Sequence, residues 1–308
     1  MSTLHVLLPP LAQMRRDAAF SAWLAHGDSL ASAVDARESS VRTLFRFAGA
    51  TVPVAALRHH AVADDAHNGA WLAADPAYVR SEAAGARLLA CPVADLTTEE
   101  AAQLVDALRP LFGDAGMPLA LDTPSAWCLR RASGAPAVRF TPPASALGVD
   151  LLECLPEGDA GRSWRRLFNE AQVILHAHPV NAARVAAGKV PVNALWFWGA
   201  GALPGPVATE LKFIASADAV VRGLAKVVGI ACVDPADIAG QGLDACGKAG
   251  DALLDLGMDD QVDFAAAWLP MFRSWLRKRR FDAIEMAFAD GERRRVRHIH
   301  RLRFWRHA

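Results

Sequence analysis

The 308 residues are 53% hydrophobic and 21% charged, enough apolar material for a substantial core and too much for a disordered chain. No apolar run reaches the roughly 20 residues that span a bilayer, so a transmembrane helix is excluded from the expectations. The net charge is zero but unevenly placed: residues 273–308 carry 12 Lys/Arg against 4 Asp/Glu, or +8, leaving 21 basic and 29 acidic residues, or −8, in the preceding 272. A basic end on an acidic body fits an anionic partner or the protein's own acidic face.

In chain order, LHVLL at 4–8 reads as a buried strand stopped by Pro9-Pro10, and with no basic residue before it, not as a signal peptide. Residues 11–50 carry helical spacing around Phe20, Trp23 and Leu24, then Leu44, Phe45 and Phe47. Residues 51–80 mix short apolar pieces with Asp, His, Gly and Pro and define no element. Thr97-Thr98-Glu99-Glu100 is a capping box, and the helix it opens aligns Ala101, Leu104, Val105 and Leu108 on one face. LALDTPSAWCLRRA reads as strand, and a Pro-rich connector runs to about Pro143. Residues 81–150 therefore look like a small α+β insert within an α/β core formed by 1–80 and 151–308.

Further on, 209–229 reads as helix, IACV (230–233) as a short buried strand, GKAGDALLDL as a second helix, and Phe264 to Lys278 as a third. FDAIEMAF and RRVRHIHRLRFW flank Asp290-Gly291, a hairpin signature. The five cysteines (Cys91, Cys128, Cys154, Cys232, Cys246) are widely spaced, with no CxxC, and read as reduced residues of a cytoplasmic protein.

The densest chemistry lies between 178 and 201. His178, Asn181, Arg184, Lys189, Asn193, Trp198, Gly199 and Gly201 are the candidate ligand-binding residues, since Arg and Lys hold a phosphate or carboxylate and glycines admit a ligand to the backbone. The plainer reading makes His178 and Asn181 turn caps and puts Arg184 and Lys189 on a solvated helix. His59-His60 with Asp64, Asp65 and His67 forms one possible metal cluster. His298 and His300, two apart on a strand and so on one face, form another. Phe304 and Trp305 beside the C-terminal arginines could stack on bases, but no nucleic-acid-binding motif accompanies them.

HPVN (178–181), Arg184, Gly188-Lys189, NALWFWG (193–199) and Gly201 resemble the HPxN…R…GK…AN-x-W-x-W-G-x-G pattern of the archaeal-type cofactor-independent phosphoglycerate mutases, members of the alkaline phosphatase superfamily. AWLAADPAYV (70–79), TTEEAAQLVDAL (97–108), ASADAVVRGLAKVVGIACV (215–233) and DACGKAGDALLDL (244–256) extend the likeness to about 70–260. LLECLPEGDAGRSWRRLFNEAQVILHAHPVN (151–181) and the C-terminal hairpin look still more like the bacterial RpfE-type regulatory proteins. The resemblance implies an alkaline-phosphatase-like sheet flanked by helices, shortened relative to the family.

It also implies a chemistry: two divalent metals held by Asp and His, and a Ser that becomes phosphorylated. In the family the first strand ends in a metal-binding Asp-Gly, where this chain has Pro9-Pro10. The nucleophile's Pro-Gly-Ser-Asp setting has no counterpart, although Ser39 and Ser40 precede a helical segment. A late Asp-x-x-x-His pair would fall near Asp259–Asp263, where there is no His, and the following Asp-His pair falls on Asp290-Gly291. The expectation is a degenerate, regulatory relative with no catalytic residues, metal or cofactor, which binds a small anionic ligand or a protein partner. Nucleic acid and membrane are not its expected partners. The alternative is an active mutase or phosphohydrolase with an altered site.

Overall fold

The computed structural model describes residues 2–32, 36–49, 51–83, 85–132, 134, 138–241, 250–257 and 264–303. Among these, the strands are β1 (Thr3–Leu8), β2 (Asp28–Ser29), β3 (Ala70–Glu82), β4 (Gly85–Ala90), β5 (Leu119–Thr123), β6 (Ala126–Arg131), β7 (Ala194–Ala202), β8 (Leu211–Ser216), β9 (Cys232–Val233), β10 (Asp251–Asp255), β11 (Ala283–Phe288) and β12 (Arg293–Arg297). The chain divides into two compact units, Met1–Ala50 with Pro204–Ala308, and Thr51–Leu203.

The first unit is built on a sheet of order β2-β12-β11-β1-β10-β8-β9. From β11 to β9 every neighbouring pair is parallel, while β12 runs antiparallel to β11 and β2 to β12. Strands covered on both faces need continuous apolar runs, and LHVLL, ALL and FIA supply them, with Val6, Leu253 and Ile214 fully buried. The helix Ala18–Ala25, capped by the Asp17 carboxylate on the Phe20 N–H at 2.8 Å, buries Phe20 and Leu24. The helix Leu269–Arg277 adds Phe272, Trp275 and Leu276 to the same core.

Several expectations are corrected here. Residues 209–229 are not one helix, because LKFIAS forms β8 before the helix Ala219–Val227, which starts at an Asp218 cap. ALLD lies in the central strand β10, not in a helix, and Gly247, Lys248 and Ala249 lie outside the described residues. Cys232 and Val233 are half-buried because β9 is the sheet edge. Ser39 and Ser40 stand inside the helix Ala36–Leu44 rather than before it.

The second unit is an antiparallel sheet organised on β3. Its first part pairs with β6 (Ala70↔Arg131 to Ala73↔Cys128), its last part with β4 (Tyr78↔Ala90 to Glu82↔Gly85), and β7 runs along it from Ala70↔Ala202 to Ala77↔Ala194. What read as one strand at 119–132 is the hairpin β5–β6. The capping box is present: the Glu100 N–H donates to Thr97 Oγ1 at 3.1 Å, and the Thr97 N–H to Glu100 Oε2 at 2.9 Å. The helix behind it, Thr98–Asp114, buries Ala101, Leu104, Val105, Leu108 and Phe112. The unit is wider than the expected 81–150 insert because a ladder cannot be cut between its strands. β3 opens at Ala70, its partner β7 closes at Ala202, and 51–80 and 151–203 fold with the insert.

Candidate functional site

The motif between 178 and 201 is a set of internal braces. His178 caps the helix Pro179–Ala186, its Nδ1 accepting from the Val180 N–H at 3.2 Å. Buried Asn181 donates to the carbonyls of Leu175 and Val192 at 2.7 and 2.6 Å and accepts from the Val192 N–H at 2.8 Å. Asn193 exchanges two bonds with Val79, at 2.7 and 2.8 Å, as a backbone ladder would. Arg184 is not on a solvated face: its side chain is 0% exposed and bonds Asp95 Oδ1 and Glu100 Oε2 at 2.7 Å each, and the Val190 carbonyl at 2.9 Å. Lys189 Nζ lies 3.8 Å from Asp95, which these cations hold below the usual carboxylate range.

Trp198 Nε1 donates to Asp75 Oδ2 at 2.7 Å, and Arg58 clamps the same buried carboxylate at 2.9 and 2.7 Å. The glycines serve packing. A Cβ on Gly199 (φ +62°) would lie 2.9 Å from Val54 Cβ, and one on Gly201 would lie 2.6 Å from Pro53 Cβ. The helix Val54–Val62 therefore packs directly on β7.

That helix carries the second cluster. His59 is buried and stacks on Trp71 with ring centroids 3.7 Å apart; its Nδ1 meets Asp122 at 2.7 Å and its Nε2 meets Asp65 at 2.8 Å. Cys128 donates to Asp122 Oδ2 at 3.3 Å. The sequence paired His59 with its near neighbours and missed Asp122 and Cys128, which the β5–β6 hairpin delivers from 63 and 69 residues away. The ligand atoms of His59, Asp122 and Cys128 lie within 4.8 Å of one another. Burial, with Asp122 adding to it, pushes the Cys128 thiol up. Burial also disfavours a charged His59, but the bonds to Asp122 and then Asp65 outweigh it and raise its pKa. His298 and His300 do not share a strand face, because the chain turns into a 3-10 helix at His298, burying His300 and leaving His298 partly exposed. Phe304 and Trp305 lie outside the described residues.

The third cluster occupies the carboxyl edge of the parallel sheet, where open α/β sheets bind ligands. β1 ends at Leu8 and runs into Pro9-Pro10 at the start of the helix Leu11–Met14. Asp290, in the hairpin after β11, accepts from the Ala12 N–H at 3.3 Å. Asp255 closes β10 and is saturated: Arg37 donates to both its oxygens at 2.9 and 2.8 Å, Ser216 Oγ at 2.7 Å, and the Gly257 N–H at 3.2 Å. Arg37 reaches Asp218 as well, at 3.1 Å. A Cβ on Gly257 would lie 2.8 Å from Arg37 Nη1, so glycine makes room for the guanidinium. These residues do not fit two divalent cations: the prolines offer no ligand, and an arginine already covers Asp255, the carboxylate buried at this edge among the described residues. Asp259 and Asp263 lie outside the described residues.

No family model matches the chain. It is 28% identical over 140 residues to a Geobacter sulfurreducens protein named "Probable 2,3-bisphosphoglycerate-independent phosphoglycerate mutase", covering 44% of this chain and 35% of that one. It is 32% identical over 128 residues to the mutase of that name from Methanothrix thermoacetophila, covering 40% and 33%. The chain thus spans about a third of the length of these curated relatives. Among solved structures, PH0037 protein from Pyrococcus horikoshii matches with a TM-score of 0.52 and 14% identity over 96% of this chain and 86% of that one. A cofactor-independent phosphoglycerate mutase from Thermoplasma acidophilum gives a TM-score of 0.43, 17% identity, and 96% and 89% coverage. The chain therefore shares its α/β fold with PH0037 protein and is related, over less than half its length, to proteins named as cofactor-independent phosphoglycerate mutases.

Proposed function

We propose that this protein is a non-catalytic relative of the cofactor-independent phosphoglycerate mutases that acts by binding, in a regulatory role like that of the RpfE-type proteins it resembles. One observation carries the reading. Where a two-metal phosphotransferase gathers carboxylates for cations, Arg37 holds Asp255 and Asp218 with a charge that no accessible pH removes. A guanidinium neutralises these carboxylates but has no open coordination position, so it cannot polarise a phosphoryl oxygen as a metal does or generate a metal-bound nucleophile. Ser216 donates its hydroxyl proton to Asp255, which Arg37 already neutralises.

The test is turnover. The chain, supplied with 3-phosphoglycerate and Mn2+, Mg2+, Co2+ or Zn2+ in turn, is followed by phosphorus NMR for 2-phosphoglycerate and free phosphate. No conversion above the protein-free control is expected. Conversion that Asp255→Asn abolishes would overturn the reading and establish an altered active site.

A further inference from the structure

Part of the basic end of the chain is paired with carboxylates. Arg294 meets Glu292 at 3.1 Å, Arg295 meets Glu285 at 2.5 Å, and Asp28 holds Arg297 at 3.0 Å and Arg303 at 2.6 Å. Arg273, Arg277 and Arg301 are exposed and form no ion pair with any described residue. These three are not scattered. With Arg297 they line one cavity of about 240 Å³, whose apolar wall includes Trp23 and Leu276. No carboxylate lines it among the described residues.

The placement is costly without a ligand. Arg273 and Arg277 stand four apart on the α-helix Leu269–Arg277, and so on one face of it. Like charges at that spacing oppose helix formation, and an anion between them would turn repulsion into attraction. Guanidinium groups match phosphate in bidentate geometry, and several together suit a dianion. The volume sets the size: sites for drug-sized molecules run from about 300 Å³ upward, so this one suits something smaller.

We infer that this cavity binds a small phosphate monoester, its phosphate among Arg273, Arg277 and Arg301 and its planar or apolar part against Trp23. The inference deepens the binding role proposed above and rests on it for its sense. Its test reads binding and the other reads turnover, so either can fail alone.

Calorimetric titration of the whole chain with inorganic phosphate and with phenyl phosphate makes the test. Both should bind, phenyl phosphate more tightly. Arg273→Glu, Arg277→Glu and Arg301→Glu should each weaken binding about tenfold or more, the usual worth of a charge-assisted hydrogen bond. Arg15→Glu, an equal charge change outside the cavity lining, should not. The three target side chains are exposed, so unchanged thermal melting is expected and separates lost binding from lost fold. Absent binding, or binding that the three variants leave intact, overturns the site. A ten-nucleotide single-stranded DNA that binds more tightly than phenyl phosphate, with a steep salt dependence that the same variants remove, would also overturn it and assign the surface to nucleic acid.

Discussion

Arg184 illustrates how a residue that looks like a ligand contact becomes a brace. Its guanidinium is wholly enclosed and bonds Asp95, Glu100 and backbone carbonyls, so truncation removes a brace rather than emptying a pocket. Arg184→Met should cost about 1–3 kcal/mol in urea unfolding, since it removes charge-assisted bonds to carboxylates that keep access to solvent. A loss under about 1 kcal/mol, the level of an exposed pair, would refute the assignment. His59 makes a pH-dependent prediction. Its folded-state pKa is raised, so its bonds to Asp122 and Asp65 contribute fully below its ordinary value of about 6.5 and are lost as pH rises through the folded value. Stability measured from pH 6 to 9 should therefore decline in the native chain relative to His59→Gln, and parallel curves would exclude the effect. The motif from His178 to Gly201 was legible as a motif through its resemblance to the HPxN…R…GK pattern of the mutases. Its meaning was not, because the partners Asp95, Glu100, Asp75 and Val79 come from other elements and no local pattern announces them.

At the scale of elements, what could be read depended on whether local chemistry decided the structure. The helix Thr98–Asp114 was legible because Thr97 and Glu100 cap it within four residues, and the hairpin because Asp290-Gly291 sits between two alternating runs, with Gly291 at φ +94°. Removing the hydroxyl in Thr97→Ala should cost about 1 kcal/mol, read from the midpoint of denaturant unfolding, and Thr97→Ser should restore most of it. β8 and β10 were not legible. A parallel strand buried on both faces is a short apolar run without period, and beside LAKVV or GKAG such a run extends a helical pattern equally well. Only pairing decides it: β10 gains two parallel neighbours, β1 and β8, across Leu4↔Ala252 and Leu253↔Ile214. The same holds for β3, whose Ala, Asp and Pro content hides a strand that three partners stabilise.

For the whole molecule, the zero net charge conceals a local balance: Asp28 alone engages Arg297, Arg303 and His300, and hydrogen bonding from Arg303 and Arg297 against burial brings its pKa down to about 2. This contribution is present above the ordinary carboxylate value and is lost as pH falls through about 2, so it concerns the unit of Met1–Ala50 and Pro204–Ala308 in strong acid. The division of the chain yields the last prediction. One hydrophobic cluster is drawn from Leu72 to Phe197, and another joins Leu4–Leu24 to Ala215–Val296 and skips the segment between. The 51–203 segment is continuous, and its ends are brought together by its own ladder at Ala70↔Ala202. At about 150 residues such a segment buries roughly two-thirds of its unfolded surface, ample for independent folding. Expressed alone, residues 51–203 should unfold cooperatively and keep the near-ultraviolet dichroism of fixed tryptophans, since Trp71 and Trp127 are enclosed within it. Arg184→Met in this fragment should lower its melting temperature by roughly 3–8 °C, because the destabilisation falls on a small cooperative unit. A fragment without a cooperative transition would show that the segment needs the rest of the chain, and the two-unit description would then be geometric only.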